Sequence, residues 1–102
     1  MKMIVEFDID ADIIDVPQRI IKERELIRRR FLKWLYDKGN KHKYWVQVEN
    51  NGKKYDALCY RSDALVEWLN KKVLQNSVEK ATIVKQHVAV DSYCEEYPVI
   101  QF

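Results

Sequence analysis

Apolar and polar residues alternate at the start of the chain, and this alternation predicts a β-strand over residues 1–9. Apolar side chains occupy every second position from Met3 to Ile9, and Lys2, Glu6 and Asp8 mark the other side. A period of two residues is typical of a strand that buries one face. Residues 10–16 are rich in aspartate, and we interpret them as an acidic connection to the next element.

From Pro17 to Lys38 the apolar residues recur every three or four positions, which predicts one long helix. Asp15 is the predicted N-cap, and Pro17 suits the first helical turn because its missing N–H needs no partner there. Gly39 and Asn40 are predicted to end the helix in a left-handed conformation. The predicted core face consists of Ile20, Ile21, Ile27, Phe31, Leu32, Trp34 and Leu35.

Two arginines, Arg24 and Arg28, fall within this apolar arc. Arginine stems can pack against apolar surface while the guanidinium group reaches water. We therefore interpret both as lying at the edge of a layer, with a paired or ligand-facing arginine couple as the alternative.

The dipeptide Asn51-Gly52 predicts a β-hairpin between strands at residues 44–50 and 53–61, because a type I′ turn needs positive φ at both central residues. The turn fixes a register in which Trp45 faces Leu58. The face predicted to be buried consists of Tyr44, Val46, Val48, Tyr55, Ala57 and Cys59. The opposite face is mostly polar but also carries Trp45, Leu58 and Tyr60.

A second helix is predicted to begin at Ser62 or Asp63 and to end near Asn76, followed by a fourth strand over residues 79–90. The order β-α-β-β-α-β predicts a ferredoxin-like α+β fold, in which a four-stranded antiparallel sheet carries two helices on one face. A chain of 102 residues is expected to form one domain, residues 1–102. Its apolar and acidic tail, residues 91–102, is expected to form an edge strand, cover the sheet or dock onto another chain.

Composition favours a globular intracellular domain. Apolar residues make up 47% of the chain and aromatic residues 12%, enough for a core. We find no membrane-spanning run and no signal-peptide pattern, so a cytoplasmic location is expected. Cys59 and Cys94 are expected to be free thiols in that compartment, with a bridge between them as the alternative. Without a glycine-rich phosphate loop or a zinc-ligand spacing, we expect no cofactor.

Charge is strongly segregated along the chain. Residues 1–15 carry one lysine and five acidic side chains, whereas residues 16–43 carry ten Lys/Arg and three acidic side chains. Such a surface can contact phosphates or an acidic protein, unless it is merely solvated or covered by the acidic ends. The predicted basic surface consists of Arg19, Lys22, Arg29, Arg30, Lys33, Lys41 and Lys43.

Asp8, Asp10 and Asp12 lie at alternate positions and are weak candidates for a Mg²⁺ or Ca²⁺ site. The segment is not an EF-hand, because Ile13 stands in place of the glycine and Arg19 in place of the closing glutamate. The simpler interpretation is a solvated acidic turn beside a helix N-terminus.

Two segments are similar to known families. Phe7-Asp8 followed by the arginine run at residues 28–30 resembles the start of the Cas2 family, small ferredoxin-like proteins that form dimers; the likeness covers about the first third of the chain. It implies a metal-dependent nuclease. The segment KKYDALCY resembles a strand signature of the RNA recognition motif, but Lys54 replaces its glycine and Ala57 one of its stacking aromatics.

The function that we predict is non-enzymatic binding of nucleic acid, or of another acidic partner, through the basic surface. The first alternative is a protein-interaction module, such as an inhibitor, adaptor or homodimer. It would use the open sheet face and the tail, through Trp45, Leu58, Tyr60 and Phe102. The second alternative is the Cas2-like nuclease. Small domains of this kind are frequent in phages and mobile elements.

Overall fold

The computed structural model describes residues 1–8, 10–89 and 96–102, which form an α+β fold. A four-stranded mixed sheet and a separate hairpin contain the strands β1 (Lys2–Glu6), β2 (Ala11–Asp15), β3 (Trp45–Asn50), β4 (Lys53–Leu58), β5 (Thr82–Val88) and β6 (Val99–Gln101). The helices are α1 (Gln18–Lys22), α2 (Arg24–Tyr36) and α3 (Ser62–Trp68). Short turns of 3-10 and π geometry follow at Lys38–Asn40 and Leu69–Val73.

The main sheet has the strand order β5-β2-β1-β6, with β1 pairing antiparallel to β2 and parallel to β6. The ferredoxin-like prediction is therefore wrong in its topology. The main reason is the acidic segment, which is not a connection but forms β2 and pairs Glu6 with Ala11. This segment can form a strand within the sheet because the buried Asp12 carboxylate pairs with Arg61.

The hairpin β3–β4 has the predicted register from Asn50–Lys53 to Trp45–Leu58. Both turn residues, Asn51 and Gly52, have positive φ. The hairpin does not join the main sheet, however, and the face predicted to be buried is largely open, with Tyr55 49% exposed. The reason is that β2 and β6 occupy both edges of β1, leaving no place beside it for the hairpin.

The predicted long helix is nearly continuous, with a break at Glu23 between α1 and α2. Its core face is confirmed, since Ile20, Ile27 and Phe31 are buried. The predicted ends are not. Asp15 accepts a hydrogen bond from the Met1 amino group instead of capping the helix, and the left-handed residue after α2 is Lys41.

The two arginines inside the apolar arc are half-buried and bind backbone carbonyls. Arg24 Nη1 donates to Ile21 O over 2.9 Å, and Arg28 Nε donates to Gln101 O over 2.6 Å. Arg28 therefore ties the C-terminal strand β6 to α2. Both arginines have the partial burial expected at a layer edge, but each guanidinium group binds a backbone carbonyl of this chain, which the prediction did not include.

The core centres on Phe31, whose ring contacts those of Tyr60, Trp68 and Phe102. Leu58, Tyr60 and Phe102 pack against the buried core, so they do not form the open sheet face predicted for a protein interface. The predicted edge strand in the tail is present as β6. No helix in the described part of the chain is long and apolar enough to span a bilayer.

Candidate functional site

The fold separates the predicted basic surface into two parts. Arg19, Lys22 and Arg29 lie toward the start of the helical segment, where Arg19 Nη2 donates to Val73 O over 2.9 Å. Arg30 and Lys33 lie on the side of α2 that faces the end of α3. Only this second part belongs to a concave surface with an aromatic floor, so we describe it as the candidate site.

The candidate site is a groove between the C-terminal half of α2 and the end of α3. It consists of two adjoining depressions of about 370 and 430 Å³, within the size range of small-ligand pockets. They share four lining residues and are therefore one continuous feature. The groove is lined by Arg30, Lys33, Trp34, Asp37, Asn40, His42, Lys43, Glu67, Trp68, Lys71 and Lys72.

The floor of the groove is aromatic. The rings of Trp34 and His42 lie 4.5 Å apart, and Trp68 is almost fully buried beneath the groove. Trp34 and His42 are only half-buried, so part of each ring reaches solvent.

Two hydrogen bonds fix the orientation of His42. Its Nδ1 accepts from the Tyr44 backbone N–H over 3.2 Å, and its Nε2 lies 2.8 Å from Leu35 O. This pairing selects the neutral tautomer with the proton on Nε2. The loop that follows α2 is positioned by Asn40, whose Nδ2 donates to Trp34 O over 2.8 Å. The aromatic floor is thus held in place from both sides.

The rim of the groove is basic, with five cationic side chains and two acidic ones. Lys33 and Lys72 are exposed and form no ion pair or hydrogen bond with any described residue. The Arg30 guanidinium lies 5.8 Å from the centre of the Trp68 ring. Their charges are therefore available to a ligand.

The negative charge of Glu67 is already balanced by neighbouring lysines. It accepts a short hydrogen bond from Tyr44 Oη, and it pairs with Lys43 at 3.1 Å and Lys71 at 2.9 Å. The Tyr44 hydrogen bond, with support from the two lysines, lowers the pKa of Glu67 to about 2. Burial, with the same carboxylate nearby, raises the pKa of Tyr44. Glu67 therefore stays ionised and holds two lysines along the rim.

Sequence reasoning missed Lys71 and Lys72. Helical periodicity places Lys71 on an outward face, which is correct, because both lysines are exposed. The periodicity cannot predict that α3 packs beside α2, and this packing brings Lys72 into one depression with Arg30 and Lys33. Of the remaining predicted residues, Lys43 lies on the rim, whereas Lys41 does not line the groove.

The acidic segment forms a separate cluster around Arg61. Its Nη2 donates to Asp12 Oδ1 over 2.5 Å and to Asp10 Oδ1 over 2.9 Å. Asp12 also accepts from Ser62 and from the His87 backbone N–H, and Asp10 lies 3.0 Å from His87 Nδ1. These contacts satisfy the acidic segment without any contribution from the basic groove.

Asp10 and Asp12 converge on Arg61, but Asp8 does not join them. Asp8 is exposed, whereas Asp12 is fully buried. In the part of the chain that the structure describes, no three His, Cys, Asp or Glu side chains form a group that could hold a metal ion. Cys59 is an exposed free thiol, and Cys94 lies outside the described residues.

The ionised carboxylates predict loss of stability in acid. Burial opposes ionisation of Asp12, but hydrogen bonds from Arg61, Ser62 and His87 outweigh it and lower its pKa below 3.8. Hydrogen bonds from Arg61 and His87 likewise lower the pKa of Asp10. A carboxylate with a lowered pKa stabilises the fold above its unfolded-state pKa, and this contribution is lost as the pH falls through the folded-state value.

We therefore expect the free energy of unfolding to fall between about pH 4.5, the ordinary pKa of glutamate, and about pH 2, the pKa of Glu67. Urea denaturation at a series of pH values measures it. The Glu67→Gln variant should show a shallower fall. A free energy that stays constant down to pH 2 would contradict the assignment of these carboxylates as ionised in the fold.

A larger depression of about 710 Å³ lies near the N-terminus, between Met1, Arg19 and Lys80. Its polar groups are mostly paired within the chain. The Met1 amino group binds Asp15, Arg19 binds Val73 O, and Lys80 binds Leu74 O. Because these charges are engaged, the smaller groove is the better candidate for an anionic ligand.

Comparisons of the chain with protein-family models, with curated proteins and with solved structures find no match.

Proposed function

We propose that this protein binds single-stranded nucleic acid through the groove between α2 and α3. The observation that carries the proposal is the combination of an aromatic floor, Trp34 and His42, with a rim of five cationic side chains. Proteins that bind single strands use the same two components, a positively charged groove for the backbone and aromatic rings on which bases stack.

Each component has a separate role in this proposal. Lys33 and Lys72, whose charges pair with no described residue, contact phosphate oxygens together with Arg30 and release counterions from the strand. An unstacked base lies on the exposed part of the Trp34 ring, a contact worth about 1–3 kcal/mol per base in other proteins. The bases of a duplex are stacked within it, so a duplex can use only the phosphate contacts.

An acidic protein surface is the competing ligand, because it would satisfy the rim equally well. It would leave the solvent-exposed part of the two floor rings uncovered, since carboxylates do not stack on indole rings. The half-exposed Trp34 and His42 rings therefore favour nucleic acid over an acidic protein.

The test is a titration of labelled single-stranded DNA, single-stranded RNA and duplex DNA, followed by fluorescence anisotropy, with Mg²⁺ present and products examined on a gel. We expect micromolar affinity for a single strand, weaker duplex binding, and a steep loss of affinity with salt. Quenching of tryptophan fluorescence on binding, if it is lost in Trp34→Phe, would indicate that a base stacks on the Trp34 ring. If polyglutamate displaces the labelled strand as well as an unlabelled strand does, or if no strand binds at low salt, the proposal is overturned. Cleavage of the strand would favour the nuclease alternative.

A further inference from the structure

The hairpin β3–β4 forms a second exposed surface, which the proposed function does not use. It forms a sheet of two strands that contacts the rest of the described fold through Leu58, through the Trp45 ring and through an ion pair between Asp56 and Lys38. The radius of gyration, 14.7 Å, exceeds the value of about 13 Å typical of a domain of this length, in keeping with a projecting element. A hairpin of two strands alone is at best marginally stable in water.

The outer edge of β4 is unpaired within the described residues. The type I′ turn makes Asn50 and Lys53 a hydrogen-bonded pair, and such pairs alternate along an antiparallel ladder. Lys53 and Tyr55 consequently direct their backbone groups toward β3. Lys54 and Asp56 direct theirs outward, where a further strand can pair with them.

The sequence of β4 is complementary to itself. When two copies of β4 lie antiparallel about a two-fold axis at Tyr55, Lys54 of each copy faces Asp56 of the other. Both residues have outward backbone groups, so each facing Lys54–Asp56 pair can be hydrogen-bonded through its backbone, and opposite charges in facing positions stabilise a sheet. Asp56 also pairs with Lys38 of its own chain at 3.4 Å, but its side chain is still 48% exposed and can accept a second lysine. An axis at Lys54 or at Asp56 would instead place like charges opposite each other.

The exposed apolar residues agree with this register. Tyr55 is 49% exposed, and it would face its own copy in a row without backbone hydrogen bonds, where side chains approach most closely. Val46 and Val48 lie on the same face of the hairpin as Tyr55. We infer that the outer edge of β4 binds a second copy of this chain, which makes a continuous sheet of four strands, β3-β4-β4-β3.

The self-complementary charges allow a sharp test by mixing variants. Lys54→Asp places two aspartates opposite each other in both rows, and Asp56→Lys places two lysines opposite each other. Sedimentation velocity should therefore show each variant alone dimerising about tenfold or more weakly than the wild type. An equimolar mixture should recover the dimer, because each chain then offers the charges that the other needs.

Recovery on mixing also shows that both variants retain the hairpin, so failure to fold is separated from failure to pair. Crosslinking supplies a second measurement in a Cys59→Ser, Cys94→Ser background. Mild oxidation should link Tyr55→Cys chains into dimers but leave Gln47→Cys chains, altered on β3, unlinked. A monomeric wild type at high concentration, or a mixture no more dimeric than its components, would overturn the inference.

Discussion

Replacing Asp12 with alanine is expected to destabilise the fold by about 3–5 kcal/mol, the typical cost of removing one partner of a buried ion pair. Asp12 is fully buried, and its carboxylate accepts hydrogen bonds from Arg61, Ser62 and the His87 backbone. Without it, these donors lose their acceptor inside the protein. Because small domains are stable by only about 5–15 kcal/mol, a loss of this size removes a large part of the total and should clearly lower the midpoint of thermal unfolding.

Thermal and urea unfolding followed by circular dichroism measure this effect. The Asp12→Asn variant should lose nearly as much stability, since an amide nitrogen would replace one acceptor beside two donors. Asp8→Ala is the matched control. Asp8 is exposed, so a change within about 0.5 kcal/mol is expected. A loss below about 1 kcal/mol for Asp12→Ala would show that the cluster does not hold β2 in place.

The sequence allowed prediction of those elements whose signals are local. The register of β3–β4 follows from Asn51-Gly52 alone, because a two-residue turn permits one pairing. The core face of α2 follows from its period, in which Ile27 and Phe31 recur on one side. In both cases the residues that carry the signal lie next to the structure that they determine.

The remaining errors arise from contacts between distant residues. Asp12 is an acidic residue in a strand, and its burial is made acceptable by Arg61, Ser62 and the His87 backbone, all far along the chain. The position of the hairpin depends on the parallel pairing of β6 with β1, for which the tail sequence contains no signal of direction. The groove has the same origin, since Lys72 joins Arg30 only through the packing of two helices.

The basic groove predicts which arginines and lysines contribute to nucleic-acid binding. Arg30 and Lys33 lie on its rim, whereas Lys22 and Arg29 are exposed outside it. The double variant Arg30→Glu, Lys33→Glu is expected to lose at least tenfold in affinity for a single strand at near-physiological salt, about 1.4 kcal/mol or more. The physical reason is that two phosphate contacts become repulsive inside a concave surface.

Salt dependence gives an independent measure of the same contacts. Each phosphate contact with a single strand contributes about 0.7 to the slope of log K against log salt, so the double variant should lower this slope by about 1.4. The matched control is Lys22→Glu with Arg29→Glu, which changes the net charge by the same amount. Its slope should change less than that of the groove variant, because Lys22 and Arg29 lie outside the groove and act on the strand only through attraction that is screened at about 0.15 M ionic strength.

The comparison of the two double variants distinguishes a site from a general field of positive charge. Equal losses in both would show that binding depends on net charge and not on the groove. If both double variants fold and neither loses affinity for the strand, the basic surface does not bind nucleic acid. A selective loss in Arg30→Glu, Lys33→Glu would place the strand beside Trp34, because that indole lines the floor of the same depression as the two mutated residues.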